Sequence, residues 1–167
     1  MSKHIFVIDT SALLSGKAIH IENAELISTP ALEEEIQPGG RDYRMFQYLR
    51  EKGLTLRQPT SSSVATIKKT AKDTGDDQRL SSIDIGILAL ALEMKQTGVQ
   101  TTLLTDDYSM QNIASILDIN YQGISQKGIR RQYKWKSYCP GCHKTLEQSM
   151  DHCPICGSKT KQYRVKI

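Results

Sequence analysis

The sequence predicts an α/β fold: a parallel sheet flanked by helices, with a small second unit behind it. Three observations carry this expectation. Short apolar runs alternate with helix-like segments through most of the chain, one helical stretch is apolar on every side, and all four cysteines are confined to residues 139–156. Strand–helix alternation points to a parallel sheet covered on both faces, because each parallel connection needs a crossover. At 167 residues the chain has room for one domain with a substantial core, plus a unit too small to have much core of its own.

The elements follow in order. Residues 4–9 form an apolar run ending in Asp9 and read as a buried parallel strand, after which Thr10-Ser-Ala-Leu-Leu14 turns into a short helix. Residues 25–29 are a second strand. Pro30 sits in the first turn of a helix over 31–36, which Pro38-Gly39-Gly40 stops. Residues 42–52 are helical in composition, 54–58 strand-like, and Ser61 to Ser63 supply an N-cap for a polar helix reaching about Lys72. The strongest helix runs over 83–95, begun by Ser81, with apolar groups all around it that imply deep burial. A buried strand over 101–105, a helix over 108–117 and a strand over 119–124 complete the expected domain, assigned residues 1–123. Residues 124–133 lack apolar periodicity and read as a linker, leaving 134–167 as the second unit.

That unit is read from its cysteines. Cys139-Pro-Gly-Cys142 and Cys153-Pro-Ile-Cys156 stand ten residues apart, and no other position carries a cysteine. Two such knuckles in a segment too small to fold unaided point to one structural Zn²⁺ in a tetrahedron of thiolates, with Zn–S bonds of roughly 2.3 Å. Clustering of this kind is unlike a disulfide framework, which spreads its cysteines over the fold. His143 and His152 flank the knuckles as bystanders or as polar contacts to a ligand. Residues 134–138 and 162–166 read as ribbon strands in which Trp135 and Tyr163 alternate with Lys and Arg. Such a pattern suits phosphate neutralisation with base stacking, while for Trp135 a place in the ribbon's small core fits equally well.

Charge divides the chain the same way. From Lys127 onward ten Lys or Arg face two acids, whereas residues 1–126 hold 12 basic and 16 acidic groups. The net +4 therefore conceals a basic tail suited to a polyanion, attached to a body that concentrates carboxylates. A hydrophobic fraction of 38% and a mean hydropathy of −0.42 suit a soluble globular protein, and no membrane helix is expected. The apolar run after Met1-Ser2-Lys3 is too short for a signal-peptide core, so a cytoplasmic location is expected.

The acids themselves suggest chemistry. In an open parallel sheet, ligands bind beyond the carboxyl ends of the strands. Asp9 ends the first strand, and Asp106 and Asp107 follow the strand over 101–105. Asp84, one turn into the apolar helix, and one of Glu33, Glu34 and Glu35 are placed to reach the same edge. Converging carboxylates repel one another unless a cation sits among them, and an all-oxygen set suits Mg²⁺ or Mn²⁺. Each acid also has a plainer role open to it: Asp9 and Asp107 as N-caps, Asp84 as the partner of Ser81 in a capping box, and Glu33 and Glu34 as the anionic first turn of a helix. Singly, capping accounts for each; jointly, at strand ends, metal binding accounts for them better. Nothing resembles a covalent nucleophile.

Phe6-Val-Ile-Asp-Thr-Ser-Ala-Leu-Leu14, Leu32-Glu-Glu-Glu-Ile36, Thr74-Gly-Asp76, Leu80-Ser-Ser-Ile-Asp84 and Thr105-Asp-Asp-Tyr-Ser-Met-Gln-Asn112 resemble the PIN-domain nucleases. With four ribbon cysteines behind them, they resemble the Nob endonucleases of small ribosomal subunit maturation. The resemblance implies a PIN-like sheet and a zinc ribbon. It also implies metal-dependent endonucleolytic cleavage of single-stranded pre-rRNA at the 3′ end of the small-subunit RNA, 16S- or 18S-type. Carried over motif by motif, the catalytic acids are Asp9, Glu35 (with Glu33 and Glu34 as register alternatives), Asp84 and Asp107, with Asp106 direct or one step removed. Asp9, Asp84 and Asp107 are the ligands of one or two Mn²⁺ or Mg²⁺. Asp76 is a weaker candidate that shapes a loop, and Thr10, Ser11 and Asn112 are candidates to bond the ligating carboxylates. The partners implied are pre-rRNA and the small-subunit precursor, with assembly-factor proteins alongside and no membrane. The competing readings are a non-catalytic RNA-binding ribosome assembly factor, and a toxin-type PIN ribonuclease, against which the ribbon argues.

Overall fold

The computed structural model describes residues 3–15, 23–125 and 128–167. The chain's first two residues, 16–22 and 126–127 lie outside the described residues, the last pair falling within the expected linker. A five-stranded parallel sheet is built from β1 (His4–Ile8), β2 (Ala24–Ser28), β3 (Thr55–Leu56), β4 (Thr101–Leu104) and β5 (Asn120–Gln122), in the order β3-β2-β1-β4-β5. The central strand β1 pairs with β2 on one side, Phe6 opposite Leu26, and with β4 on the other, Ile8 opposite Leu104. Val7 and Ile8 are wholly buried, as the unbroken apolar run demands of a strand covered on both faces.

The helices between strands are α1 (Thr10–Leu14), α2 (Ala31–Glu35), α3 (Arg41–Glu51), α4 (Ser61–Thr74), α5 (Ser82–Gln96) and α6 (Tyr108–Ile116). Their apolar faces and the sheet form one core, in which Phe46, Leu49, Ile67, Leu88, Leu103 and Met110 are all 1% exposed or less. Helix α5 is the pillar: six consecutive residues, Ile87 to Leu92, are buried, which is why its sequence lacks a polar face. Ser81 caps it, with Asp84 returning a bond to the Ser81 amide. One start differs from expectation in detail. Thr60 rather than the serine run caps α4, its hydroxyl accepting from the Ser63 amide, and Glu93 reaches across to the Thr60 amide and hydroxyl at 2.6 Å. A single 3-10 turn, Asp76–Gln78, joins α4 to α5 through Gly75 at φ +77°.

Beyond β5 the chain forms a three-stranded antiparallel sheet, β7-β6-β8, from β6 (Tyr133–Tyr138), β7 (Thr145–Leu146) and β8 (Lys161–Lys166). Strands β6 and β8 pair along their whole length, Trp135 opposite Arg164. No helix among the described residues is long and apolar enough to cross a membrane.

Because α5 is packed on every side, a cavity there cannot be relieved by moving to the surface. Leu90→Ala, at a position 1% exposed, is expected to cost about 2–5 kcal/mol of stability. Urea unfolding checks this, and a loss below about 1 kcal/mol would show that α5 is not the core's centre.

Candidate active site and metal centre

The switch in strand order places the ends of β1 and β4 side by side, so the residues that follow them meet at the carboxyl edge. Asp9 still donates its amide to the Leu104 carbonyl at 3.1 Å, which continues the ladder one step and holds its side chain next to Thr105. The Asp9 carboxylate is 3% exposed and takes three donors: the Thr10 amide at 2.6 Å, the Ser11 hydroxyl at 2.6 Å and the Thr105 hydroxyl at 2.7 Å. Burial nevertheless pushes its carboxyl above the ordinary aspartate range against the bonds from Ser11 and Thr105, and the charge of Asp84 adds to the push.

Asp84 is half-buried, and burial raises its carboxyl too; bonds from Ser81 oppose this, and the charges of Asp107 and Glu35 reinforce it. Asp107 caps α6, its Oδ1 accepting from the Met110 amide at 2.9 Å, and its own amide donates to the Thr105 hydroxyl at 3.1 Å. Among Glu33, Glu34 and Glu35, it is Glu35 that is tied into this group, by the Thr10 hydroxyl at 2.6 Å. The charge of Asp84 thus reaches Asp9, and those of Asp107 and Glu35 reach Asp84, and the caps foreseen for Asp9, Asp84 and Asp107 are all made. The two roles coexist because a carboxylate has two oxygens and about four acceptor positions, of which a cap uses one.

Asp106 is joined to this group through its backbone, its amide donating at 3.1 Å to the Ser11 hydroxyl that holds Asp9. Its carboxylate accepts the amides of Ile124 at 2.7 Å and Ser125 at 3.0 Å and so anchors the chain leaving β5. Asn112 turns the opposite way from the acids, donating to Asp76 at 2.7 Å and bonding both backbone groups of Tyr133. Thr105 escaped the sequence reading as a holder of Asp9. The only signal for it was its place, at the end of a strand adjoining the one that carries the acid.

The second centre lies in the ribbon. The two knuckles have the same backbone geometry. The His143 amide bonds the Cys139 carbonyl and the Gly157 amide the Cys153 carbonyl, while the Cys139 and Cys153 amides bond the Lys144 and Ser158 carbonyls, all at 2.9 Å. His143 and Gly157 each take positive φ, 61° and 73°. Gly141 is required where the knuckles meet, since a Cβ there would lie 2.6 Å from the Ser158 hydroxyl. The Sγ atoms of Cys139, Cys142, Cys153 and Cys156 all lie within 4.8 Å of one another, the only such grouping of potential ligand atoms among the described residues. Bonds from the Ser158 hydroxyl and amide bring the Cys156 thiol down to about 6. Cys142 is pushed up to about 11: the Lys144 amide lowers it, but desolvation and the neighbouring sulfurs outweigh that. Four thiols this close are a metal-binding set, and neither histidine is among them; His143 instead bonds the Tyr138 hydroxyl at 2.7 Å.

Residues 6–94 match the profile of the PIN domain of ribonuclease. Over 162 residues the chain is 35% identical to Endoribonuclease Nob1 of Archaeoglobus fulgidus, an alignment covering 97% of this chain and 92% of that one. The chain belongs to the PIN-domain endoribonucleases, in the Nob1 family. It is also 35% identical over 162 residues to Endoribonuclease Nob1 of Methanocaldococcus jannaschii, covering 96% of this chain and 78% of the relative. Its identity to Ribonuclease VapC1 of Thermoplasma acidophilum is 33% over 159 residues, 95% and 78% of the two chains. The PIN profile spans Asp9, Glu35 and Asp84, and the alignment with the Archaeoglobus Nob1 extends over nearly the whole chain. This Nob1-family chain is therefore a ribonuclease with a parallel sheet flanked by helices and a four-cysteine ribbon.

The raised carboxyls have a sign that can be tested. With folded values above the unfolded 3.8, Asp9 and Asp84 bind more protons in the native state. Without an added divalent cation, stability therefore falls as pH rises from about 3.8 through the folded values. Asp84→Asn keeps an oxygen for the Ser81 amide but removes a charge. It is expected to raise the thermal midpoint at pH 7 and to leave it unchanged below the unfolded value. An equal loss of stability at both pH values would mean that the cap, not the charge, governs this position.

Proposed function

We propose that this chain is a divalent-cation-dependent endoribonuclease that cuts single-stranded pre-rRNA at the 3′ end of the small-subunit RNA. What supports the catalytic half is that the charge of Asp84 reaches Asp9 at the strand-order switch and those of Asp107 and Glu35 reach Asp84, with Asp9 buried and its carboxyl raised. Grouped acids with desolvation and mutual repulsion fit a hard cation, which relieves both. Asp9, Asp84 and Asp107 would hold one or two Mg²⁺ or Mn²⁺, and Glu35 would complete the set. Such an ion, when bound, supplies an acidified water and neutralises charge on the scissile phosphate.

The chain's own residues keep the acids aimed. Ser11 and Thr105 fix Asp9, Thr10 fixes Glu35, and the helix starts fix Asp84 and Asp107. In the ribbon, Cys139, Cys142, Cys153 and Cys156 would hold one structural Zn²⁺ and so fold the basic strands. Pre-rRNA within a small-subunit precursor, in the cytoplasm, is the substrate this reading assigns. It is supported by the Nob resemblance of Tyr108 to Asn112 with the ribbon, and by the basic excess beyond Lys127.

The test is cleavage of a synthetic RNA spanning a small-subunit 3′ boundary, with Mn²⁺ or Mg²⁺. Asp9→Asn is expected to lose on the order of 100-fold or more in rate while binding the RNA as well as the unaltered protein. Binding with no cutting by either form would replace the proposal with a non-catalytic assembly factor. Metal analysis gives a second check. One zinc per chain is expected, and Cys156→Ser is expected to lose it and unfold the ribbon without unfolding the nuclease sheet. Full zinc content in that variant would overturn the ribbon assignment.

A further inference from the structure

The ribbon does not trail from the nuclease domain; the described residues bond it into that domain around Asp76. Asp76 is 2% exposed, lies outside the acidic group, and is used by nothing in the mechanism above. Its Oδ2 accepts from the Thr74 hydroxyl at 2.8 Å and from Asn112 Nδ2 at 2.7 Å, and its Oδ1 accepts from Trp135 Nε1 at 3.1 Å. Asn112 in turn grips the first residue of β6, donating to the Tyr133 carbonyl at 2.9 Å and accepting from its amide at 2.8 Å. Arg79 lies flat over Trp135, 3.3 Å from the ring centre, and bonds Gln162 of β8 at 2.8 Å. Gln78 bonds Gln162 at 2.6 Å. Gly75 is required by the closeness of this contact, because a Cβ there would lie 2.8 Å from the Cβ atoms of both Trp135 and Ser149. The Thr74-Gly75-Asp76 segment is thus the socket for the ribbon.

The socket shares an element with the catalytic edge. Helix α6 begins at its cap Asp107 and carries Asn112 five residues on, about 7.5 Å along the axis. A short rigid helix therefore joins an acid of the active site to the residue that grips β6. We propose that Asp76 is a positioning residue: it latches the ribbon to the nuclease domain so that the phosphodiester cut lies at a fixed distance from the RNA held on the ribbon's basic strands. The latch rests on the contacts alone; its use in choosing the cut rests on the endoribonuclease reading. Once the ribbon is held, a strand bound to it has few phosphates that can reach Asp9 and Asp107. Once the ribbon swings free, many can.

Trp135 is the chain's single tryptophan, so its fluorescence reports the latch directly. Asp76→Ala is expected to shift the emission to the red and to steepen acrylamide quenching roughly twofold, as local opening admits the quencher. Asp76→Asn keeps an acceptor for Trp135 Nε1 and is expected to fall between. Asp77→Ala, an exposed neighbour on the same turn, is expected to change nothing. With an end-labelled single-stranded RNA and Mn²⁺, the dominant cut is expected to lose roughly tenfold or more of its share, to neighbouring positions in the Asp76→Ala variant. Unchanged fluorescence and quenching in Asp76→Ala would overturn the latch. A loosened Trp135 with an unchanged cleavage pattern would overturn its role in choosing the site. If the unaltered protein cuts no RNA, the nuclease reading falls and takes the positional role with it, while the fluorescence still decides the latch. Should Asp76→Ala fail to fold, Arg79→Ala, at a half-exposed position, carries both readouts.

Discussion

The structure is organised around a charge kept where a charge is costly. Asp9 stands at the end of the central strand, almost wholly out of water, and every neighbouring element contributes to holding it there. Strand β4 aligns with β1 so that Thr105 can donate to it, and α1 starts at a point where the Thr10 amide and the Ser11 hydroxyl face it. A buried carboxylate without such donors would simply protonate or drive the segment out to solvent. The donors keep the group aimed, but they do not restore its ordinary acidity. That residual penalty makes the position receptive to a cation.

Asp84 and Asp107 are placed by a second economy, at helix starts. A cap fixes one oxygen of a short side chain and turns the carboxylate toward the mouth of the helix, where the dipole favours negative charge. Asp84 and Asp107 sit at the starts of α5 and α6, and both starts open on the carboxyl edge of the sheet. Capping leaves acceptor positions free on both carboxylates, so it does not compete with the ligand role proposed for them. Asp106, one residue before the cap, turns its carboxylate to the amides of Ile124 and Ser125 in the chain after β5.

This arrangement explains how much could be read in advance. Local signals sufficed wherever structure was made by near neighbours: the alternation of runs, the capping box of Ser81 and Asp84, and two cysteine knuckles. Short elements with little pattern, β7 and the 3-10 turn after Gly75, left no mark in the sequence. Nor did contacts between residues far apart in the chain. Asp76 bonds a side chain 59 residues away, and nothing around it distinguishes such a role from that of a loop-shaping acid. Trp135 was open to two readings, stacking on RNA or filling the ribbon's core. It faces the nuclease domain under Arg79, with its Nε1 donating to Asp76. Tyr108 to Asn112 marked the family but not the reason, which is that Gln111 and Asn112 bond the backbone of Ile129 and Tyr133.

Why two domains should be bonded at all follows from the size of the second. A ribbon closed by four clustered cysteines has little apolar surface to bury, so its attachment rests on directed polar contacts and one aromatic stack. Such contacts have a property that apolar burial lacks. They are satisfied in one orientation only, since each donor of Asn112 and Trp135 must meet its own acceptor. A junction of this kind is weak in area but strict in geometry, the combination needed when a basic surface must present a flexible strand to a distant catalytic edge. Holding the strand raises its local concentration, but only a fixed holder converts that concentration into a preferred phosphate.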